Sequence, residues 1–177
     1  QDVEAADRMI ARLSELLRYA LESTNSQEVP LREELHFLDR YLEIQQRRFG
    51  ERLSVHRDIE SNTLTGLVPT LVLQPLVENA VKHGIAQVRG GGTLTVGAAV
   101  VGDRLTIDVS DNGPGLAETP ERAAFARRAG EQFGLRSVRE RLSGHFAKAA
   151  AFTLARDDAR GLTIARIEMP FVSADDR

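Results

Sequence analysis

The spacing of apolar residues predicts two consecutive amphipathic helices at the start of the chain. Residues 5–22 carry leucine, methionine and alanine side chains at helical intervals, and a second stripe extends from about Leu31 to Phe49, where Gly50 ends it. The polar run 23–26 breaks the pattern between them. We expect a helical hairpin that either docks on a domain or pairs with a second copy of itself.

After Gly50 the apolar period changes from helical to two, which predicts extended structure. Leu53, Val55 and Ile59 alternate with polar residues, and His56 falls on the polar side of this half-buried strand. The same alternation predicts four more strands, paired as two hairpins: residues 93–101, 104–110, 151–155 and 162–169. A tight Gly102-Asp103 turn closes the first hairpin.

The segment 73–84, LQPLVENAVKHG, combines an apolar stripe with a polar one. Pro75 cannot occupy a helix interior without a kink, so we expect it to open the functional part of this helix. Asn79, Lys82 and His83 then share one face at i, i+3 and i+4. An amide oxygen suits a hard cation such as Mg²⁺, and a cationic neighbour suits a phosphate. The alternative is a half-buried helix with a solvated polar edge.

An aspartate follows the strand 104–110 on its apolar side. Leu105 and Val109 point to that side, and continuing their alternation puts Asp111 there as well. Such an acid is either a costly buried charge or an acceptor for a ligand's donor. On the last strand, the hydroxyl of Thr163 also faces the apolar side.

A long, charged and alanine-rich connection, residues 116–133, precedes the next helix. Connections of this length are often lids over a site. We expect the helix to open at Gly134, where free backbone N–H groups and the positive end of the helix dipole suit a phosphate. Many helices begin at glycine, so this segment alone does not define a site.

Composition narrows the class of protein. Of the 177 residues, 42% are hydrophobic and 28% are charged, as in an ordinary soluble domain, and the net charge of −3 gives no reason to expect direct contact with nucleic acid. The absence of cysteine excludes disulfides and thiolate metal sites. The longest apolar tract, 67–81, is interrupted by prolines and polar residues and is not expected to span a membrane.

The order of elements (strand, helix, hairpin, lid, helix, hairpin) predicts a two-layer α/β sandwich, with helices covering one face of a mixed, mostly antiparallel sheet. The helical hairpin precedes this sandwich. The chain lacks a GxxxxGK[ST] phosphate loop and a GxGxxG fingerprint after a strand, so a doubly wound nucleotide-binding fold is not expected.

Four short motifs together resemble the GHKL superfamily of ATP-binding domains, which have the Bergerat fold. They are LVENA at 76–80 (its N box), DNGPG at 111–115 (its G1 box), GL at 134–135 (its G2 box) and GLT at 161–163. Longer phrases resemble the LytS-type sensor histidine kinases: LSELLRYAL, PLREELHFLDRYLEIQQRRFGERL, LQPLVENAVKHG and FGLRSVRERL. With these phrases the resemblance covers nearly the whole chain.

The resemblance implies a division of the chain and a phosphate end of the site. Residues 1–50 would be the C-terminal part of a helical dimerisation region, 51–171 the catalytic ATP-binding domain, and 172–177 a flexible tail. Asn79 would hold Mg²⁺ between ATP phosphates, while Lys82 and His83 would line the phosphate path. Gly134 and Leu135 would close the lid end near the phosphates.

At the base end, the resemblance implies four residues. Asp111 would accept a hydrogen bond from the adenine amino group, and Thr163 would support it through its hydroxyl. Gly113 and Gly115 would give the base room.

Glu78 has two interpretations. Superfamily ATPases place a water-activating acid one helical turn before the magnesium asparagine, but that position here is Pro75. Glu78 either forms an i,i+4 ion pair with Lys82 or polarises the incoming nucleophile. The absence of an acid one turn earlier favours phosphoryl transfer to a protein side chain over rapid hydrolysis.

The chain departs from the family pattern at two places. The proline-histidine-phenylalanine-leucine-phenylalanine-asparagine phosphoacceptor motif is not in this sequence. We expect it upstream of Gln1, because the chain starts without an initiator methionine and looks like a fragment cut on its N-terminal side. His36 and His145 are interpreted as surface or packing residues, not as substitutes. Residues 131–133 precede Gly134 where relatives often carry further glycines.

Two arginines of the helix after the lid, Arg139 and Arg141, either contact phosphate or solvate the helix, and we favour the surface interpretation.

The sequence therefore predicts the ATP-binding catalytic domain of a two-component sensor histidine kinase. It would transfer the γ-phosphoryl of Mg-ATP to a histidine on the missing upstream segment, for relay to a response regulator of the LytTR kind. The full-length kinase would be a homodimer, and this part of it a cytoplasmic domain attached to a membrane only through missing N-terminal segments. The alternatives are a degenerate nucleotide-binding or interaction module without phosphotransfer, and a GHKL ATPase or protein-serine kinase.

Overall fold

A computed structural model describes residues 28–115 and 131–176. Its regular elements, in chain order, are β1 (Glu28–Pro30), α1 (Leu31–Phe49), β2 (Leu53–Ile59), β3 (Leu67–Pro69), α2 (Gln74–Asn79), β4 (Gly92–Val101), β5 (Arg104–Asp111), α3 (Glu131–Phe146), β6 (Ala151–Asp157) and β7 (Leu162–Pro170). The strands that the sequence predicted are confirmed to within two residues at each end. The predicted helix at residues 5–22 lies outside the described residues, so the helical hairpin stays a prediction.

Five of the strands form one mixed sheet in the order β2-β4-β5-β7-β6. Only the pair β2 and β4 is parallel, while the other three pairs are antiparallel. The tight turn between β4 and β5 uses Gly102 at a φ of +65°, a conformation that glycine adopts without strain. The predicted mixed, mostly antiparallel sheet is therefore confirmed.

Helices cover one face of this sheet. The core contains the inward residues of β5, which are Leu105, Ile107 and Val109. It also contains the apolar stripes of all three helices. The opposite face is polar, and there Arg166 of β7 forms two 2.7 Å bonds with the carboxylate of Asp108 on β5. This arrangement confirms a two-layer α/β sandwich.

Helix α1 packs into the same core as the sheet. Four of its leucines are buried there: Leu31, Leu35, Leu38 and Leu42. The short strand β1, which directly precedes α1, pairs with β3. The predicted domain boundary at residue 50 therefore does not separate two cores in the described chain. In that described part, no helix has the length and apolarity to cross a membrane.

The segment 70–73, which leads into α2, is held from two sides. From α1, the fully buried carboxylate of Glu34 accepts hydrogen bonds from the N–H groups of Leu71 (2.6 Å) and Leu73 (3.2 Å). From α3, Arg141 donates to the carbonyl oxygens of Thr70 and Leu71. Leu71 has a φ of +57°, uncommon for a residue with a side chain, so these bonds hold a strained turn.

The surface interpretation of Arg141 is consequently wrong. Its side chain is half-buried because it donates hydrogen bonds to the backbone carbonyl oxygens of Thr70 and Leu71. Arg139 is exposed as expected, with its guanidinium 5.3 Å from the ring centroid of Phe152.

Residues 172–176, expected to belong to a flexible tail, bond to the segment 65–67. The N–H of Leu67 donates to the carbonyl of Val172, and the N–H of Ala174 donates to the carbonyl of Thr65, both at 2.8 Å. The buried hydroxyl of Ser173 donates to Thr65 Oγ1 at 2.9 Å. The described part of the tail is therefore attached to the fold.

Candidate functional site

Helix α2 begins as its proline predicts and ends in an unusual turn. Pro75 occupies the first turn of the helix, where a missing N–H costs nothing. After Asn79 the backbone continues as a π-helical turn, Ala80–Gly84, and then as a short 3₁₀ turn, Ile85–Gln87. Residues 85–87, which follow the predicted segment 73–84, thus continue in a helical turn. Single π turns inside helices often occur at functional sites.

The two faces predicted for this segment are present. The apolar stripe, Leu76, Val77, Ala80 and Val81, is buried. On the polar side, Asn79 and His83 are half-buried and Lys82 is exposed. Asn79 and His83 therefore border the core, whereas Lys82 is solvated.

Glu78 forms the ion pair that was one of its two interpretations. Its Oε2 accepts from Lys82 Nζ at 3.1 Å, and its Oε1 accepts from Gln74 Nε2 at 2.8 Å. Both carboxylate oxygens thus have partners on α2 and the turn after it. A role in polarising a nucleophile stays a prediction.

Asp111 ends β5 with its carboxyl group buried, at 4% exposure. This confirms the prediction that the alternation along the strand puts Asp111 on the apolar side. Its Oδ1 accepts from the N–H of Gly113 at 2.9 Å. Burial raises the pKa of Asp111 above its ordinary value, while the Gly113 N–H, Arg156 and His83 oppose the rise. The charge of His83 thus acts on Asp111, and the role of His83 along the phosphate path stays a prediction.

The backbone of Gly84 closes on this carboxylate. A Cβ on Gly84 would lie 2.1 Å from Asp111 Oδ1, and a Cβ on Gly113 would lie 2.3 Å from the Cα of Gly84. No side chain fits at either position, so both glycines are required for the approach of the π turn to the end of β5. Gly84 was not predicted as a site residue, although its place at the end of the polar stripe could have indicated it.

Thr163 stands directly opposite Asp111 in the register of β5 and β7, and its side chain is also buried. On the other side of Thr163, in β6, is Arg156. Arg156 Nη1 donates to Thr163 Oγ1 at 3.2 Å and to the carbonyl of Gly113 at 2.9 Å. Gly115, with a φ of +88°, lies against the same guanidinium.

Arg156 is a second residue that sequence reasoning missed. Its contacts depend on the register of β6 against β7, which no local pattern reveals.

The expectation that Gly134 opens its helix is wrong. α3 already includes Glu131, so Gly134 lies within its first turn and does not open it. α3 packs on α2 at this point, because a Cβ on Gly134 would make an ordinary 3.5 Å contact with the Cβ of Pro75. Leu135 is half-buried against the core. The predicted lid lies mostly in residues 116–130, outside the described residues, and the phosphate roles of Gly134 and Leu135 stay predictions.

The two histidines interpreted as non-functional have ordinary surroundings. His36 is exposed on α1, with its Nε2 3.2 Å from Arg40 Nη2. His145 is half-buried near the end of α3, with its ring centroid 6.2 Å from that of Phe146. In residues 28–115 and 131–176, no group of three or more His, Asp or Glu side chains could hold a metal ion.

Comparison with known proteins gives the class of this chain. The family model described as histidine kinase-, DNA gyrase B-, and HSP90-like ATPase matches residues 67–173, and a histidine kinase model matches residues 1–53. The chain belongs to this family of ATPases, and the site around Asp111 is part of an ATP-binding domain. Its relatives place it among the LytS-type sensor histidine kinases, as the catalytic ATP-binding region of such a kinase.

Two curated relatives illustrate this placement. The sensor histidine kinase YpdA of Escherichia coli is 36% identical over 140 residues, which are 78% of this chain and 25% of YpdA. The sensor protein LytS of Staphylococcus epidermidis is 27% identical over 177 residues, which are 98% of this chain and 30% of LytS. The chain thus spans roughly a quarter to a third of the length of these relatives.

Solved structures support the fold. The catalytic domain of the histidine kinase ThkA is similar with a TM-score of 0.60 at 16% identity, over 81% of this chain and 93% of that one. ThkA in complex with the response regulator TrrA is similar with a TM-score of 0.56 at 15% identity, over 94% of this chain and 49% of that one. At such identities the likeness concerns the fold alone.

Proposed function

We propose that this chain binds Mg-ATP between α2, the end of β5 and β7, and transfers the γ-phosphoryl group to a histidine of its own kinase. The observation that carries the proposal is the buried Asp111 carboxylate, which faces Thr163 and is approached by Gly84 with no side chain between them. An ionised carboxylate accepts hydrogen bonds and a hydroxyl can donate one, which matches the amino group and ring nitrogen on the edge of adenine. Burial also strengthens each such hydrogen bond, because the local dielectric constant is lower than in water.

The phosphate end of the site rests on the polar stripe of α2 and its π turn. The amide oxygen of Asn79 is a suitable ligand for Mg²⁺, which in nucleotide sites takes its remaining ligands from substrate phosphates and water. That fits the described part of the site, in which no cluster of acidic side chains could hold a metal ion. Mg²⁺ bound there would neutralise charge on the transferring phosphoryl group. Lys82, with a 62% exposed side chain, can turn from Glu78 to a phosphate.

The reaction itself exchanges one bond to phosphorus for another. A nitrogen of the acceptor histidine attacks the γ-phosphorus as the bond to the β-phosphate oxygen breaks, and ADP leaves with that electron pair. Positioning and charge neutralisation carry such transfers. We place the acceptor histidine on a segment upstream of this chain, within a homodimeric kinase, and the subsequent receiver in a response regulator of the LytTR kind. ThkA, whose fold is similar, forms a complex with a response regulator.

Calorimetric titration with a non-hydrolysable ATP analogue, with and without Mg²⁺, tests the binding step. We expect magnesium-dependent binding that Asp111→Asn abolishes, because the carboxamide replaces one acceptor with a donor. Asn79→Ala should leave weak binding that no longer responds to Mg²⁺. Asp103→Asn and Asn62→Ala, which change exposed residues in turns, serve as matched controls and should bind as the parent does.

A supplied segment with the family's phosphoacceptor motif tests the transfer step. We expect acid-labile label on its histidine, since phosphohistidine is hydrolysed by acid whereas phosphoserine is not. Binding without transfer would favour the alternative of a nucleotide-binding module. No binding by a folded parent would contradict the assigned site.

A further inference from the structure

We infer that Arg156 is a positioning residue for base recognition, which fixes the direction of the hydrogen bond that Thr163 offers beside Asp111. This inference rests on the proposed function, since it concerns how the same site distinguishes adenine from other purines. Arg156 lies outside the four motifs of the sequence analysis and was not expected to take part.

The three residues form one row across three strands. Arg156 on β6 is the register partner of Thr163 on β7, and Thr163 is the register partner of Asp111 on β5. Side chains of directly opposed residues in antiparallel pairs project to the same face and interact. The row therefore runs from a cation through a hydroxyl to a carboxylate on the helix-covered side of the sheet.

The chemistry of arginine determines which group donates and which accepts in this row of side chains. A guanidinium has only donors, so in the 3.2 Å bond from Arg156 Nη1 the oxygen of Thr163 must accept. The proton of Thr163 must then point away from Arg156. It is free to be donated to a bound base, directly or through one water molecule. Ionised Asp111, in contrast, can only accept.

The resulting order of one donor beside one acceptor matches adenine. Adenine presents an acceptor, N1, next to a donor, the 6-amino group. Hypoxanthine and guanine present the reverse, an N1–H donor next to a 6-oxo acceptor. A Thr163 hydroxyl free to rotate could serve either base, whereas a hydroxyl held by Arg156 favours adenine.

Arg156 is itself held in place at the turn after β5. The same Nη1 donates to the carbonyl of Gly113 at 2.9 Å, and the side chain is only 25% exposed. A Cβ on Gly115 would lie 3.1–3.2 Å from Nε, Cδ and Cζ of Arg156, so the guanidinium packs on the turn. The Nε contact with Asp158, at 3.7 Å and with Asp158 94% exposed, adds little.

The test compares ADP with IDP, its 6-oxo analogue, by calorimetry on the parent and on Arg156→Met. We expect the variant to lose about tenfold in affinity for ADP, the worth of one directed hydrogen bond, and to change little for IDP. The ADP preference would thus fall by the same factor. Arg156→Lys should restore part of it, and Arg160→Met, which removes an exposed arginine beyond the end of the same strand, should leave it unchanged.

A second variant keeps the test decisive if Arg156→Met is unstable. Thr163→Val removes the hydroxyl and should reduce the ADP preference to the same level, with no further loss in the double variant. Equal weakening of both nucleotides in Arg156→Met would show a purely structural role and overturn the inference. An unchanged preference would overturn it as well. Tight ADP binding by the parent tests the proposed function separately, so the two failures are distinguishable.

Discussion

Gly84 and Asp111 approach each other so closely that a Cβ on the glycine would lie 2.1 Å from Oδ1 and 2.4 Å from Cγ of the carboxylate. The contact joins the end of the π turn, which begins after Asn79, to the end of β5. It therefore fixes the distance between the side chain proposed for the phosphate end and the one proposed for the base. The distance between the two proposed ends of the site therefore depends on a glycine at position 84.

Gly84→Ala should disrupt both the fold and the site. The added methyl group forces the carboxylate or the π turn to move, and overpacking of this kind costs about 1–3 kcal/mol. We expect a lower free energy of unfolding, measured in denaturant, and loss of most ATP-analogue binding in protein that remains folded.

Gly144→Ala is the matched control for this change. Gly144 lies in α3, and a Cβ there would meet nothing within 4 Å, so alanine should be neutral or stabilise the helix by up to about 1 kcal/mol. Normal nucleotide affinity in Gly84→Ala would contradict the proposed closeness of the two segments.

Glu78→Gln separates the two interpretations of that acid. Its bonds to Lys82 and Gln74 are local and partly exposed, so we expect a stability change of no more than about 0.5 kcal/mol. If Glu78 only positions Lys82, the rate of phosphotransfer should fall by no more than about tenfold, with a similar change in nucleotide affinity.

A loss of about a hundredfold or more in the transfer rate, at unchanged affinity, would instead assign a proton-transfer role to Glu78. Single-turnover transfer to a supplied phosphoacceptor segment gives the rate without product release. Glu140→Gln, which breaks the comparable i,i+4 pair with Arg136 on α3, controls for the loss of one surface carboxylate.

The sequence predicted those features of the fold and site that depend on local periodicity. The alternation along β5 placed Asp111 in the core, and Pro75 marked the start of α2, because each follows from one or two neighbouring residues. Features that depend on contacts between distant segments could not be predicted in this way. The approach of Gly84 to Asp111 depends on how the π turn meets β5, and the bonds of Arg156 depend on the register of β6 against β7. Arg141 is half-buried because it donates to a carbonyl oxygen 70 residues away.

Arg141→Met should destabilise the fold although an arginine on this helix looks solvated in the sequence. Its removal leaves the carbonyl oxygens of Thr70 and Leu71 without their donor, which costs about 1–3 kcal/mol for buried groups. Arg136→Met, which removes a 71% exposed arginine from the same helix, should change stability by less than about 0.5 kcal/mol. Equal unfolding free energies for the two variants would show that the carbonyls find water instead.

Glu34 should make the stability of the fold depend on pH in a defined direction. Burial raises the pKa of Glu34 above its ordinary value of 4.5, against the opposing effect of its backbone hydrogen bonds and of Arg141. Between pH 4.5 and the raised pKa, the folded state therefore holds more protons than the unfolded state. The contribution of Glu34 to the free energy of unfolding accordingly falls as the pH rises through this window, and is largest below it.

Glu34→Gln removes this contribution, since glutamine does not titrate. We expect the unfolding free energy of the variant, measured by denaturant titration at a series of pH values, to fall less steeply than that of the parent as the pH rises from 4.5. Asp39 and Asp111, whose pKa values burial also raises, are present in both proteins, so the difference between the two curves isolates Glu34. Glu33→Gln changes the exposed neighbour on the same turn and controls for the loss of one carboxylate. Parallel curves for parent and Glu34→Gln would mean that Glu34 has the same proton affinity in both states, and that its backbone hydrogen bonds and Arg141 fully offset its burial.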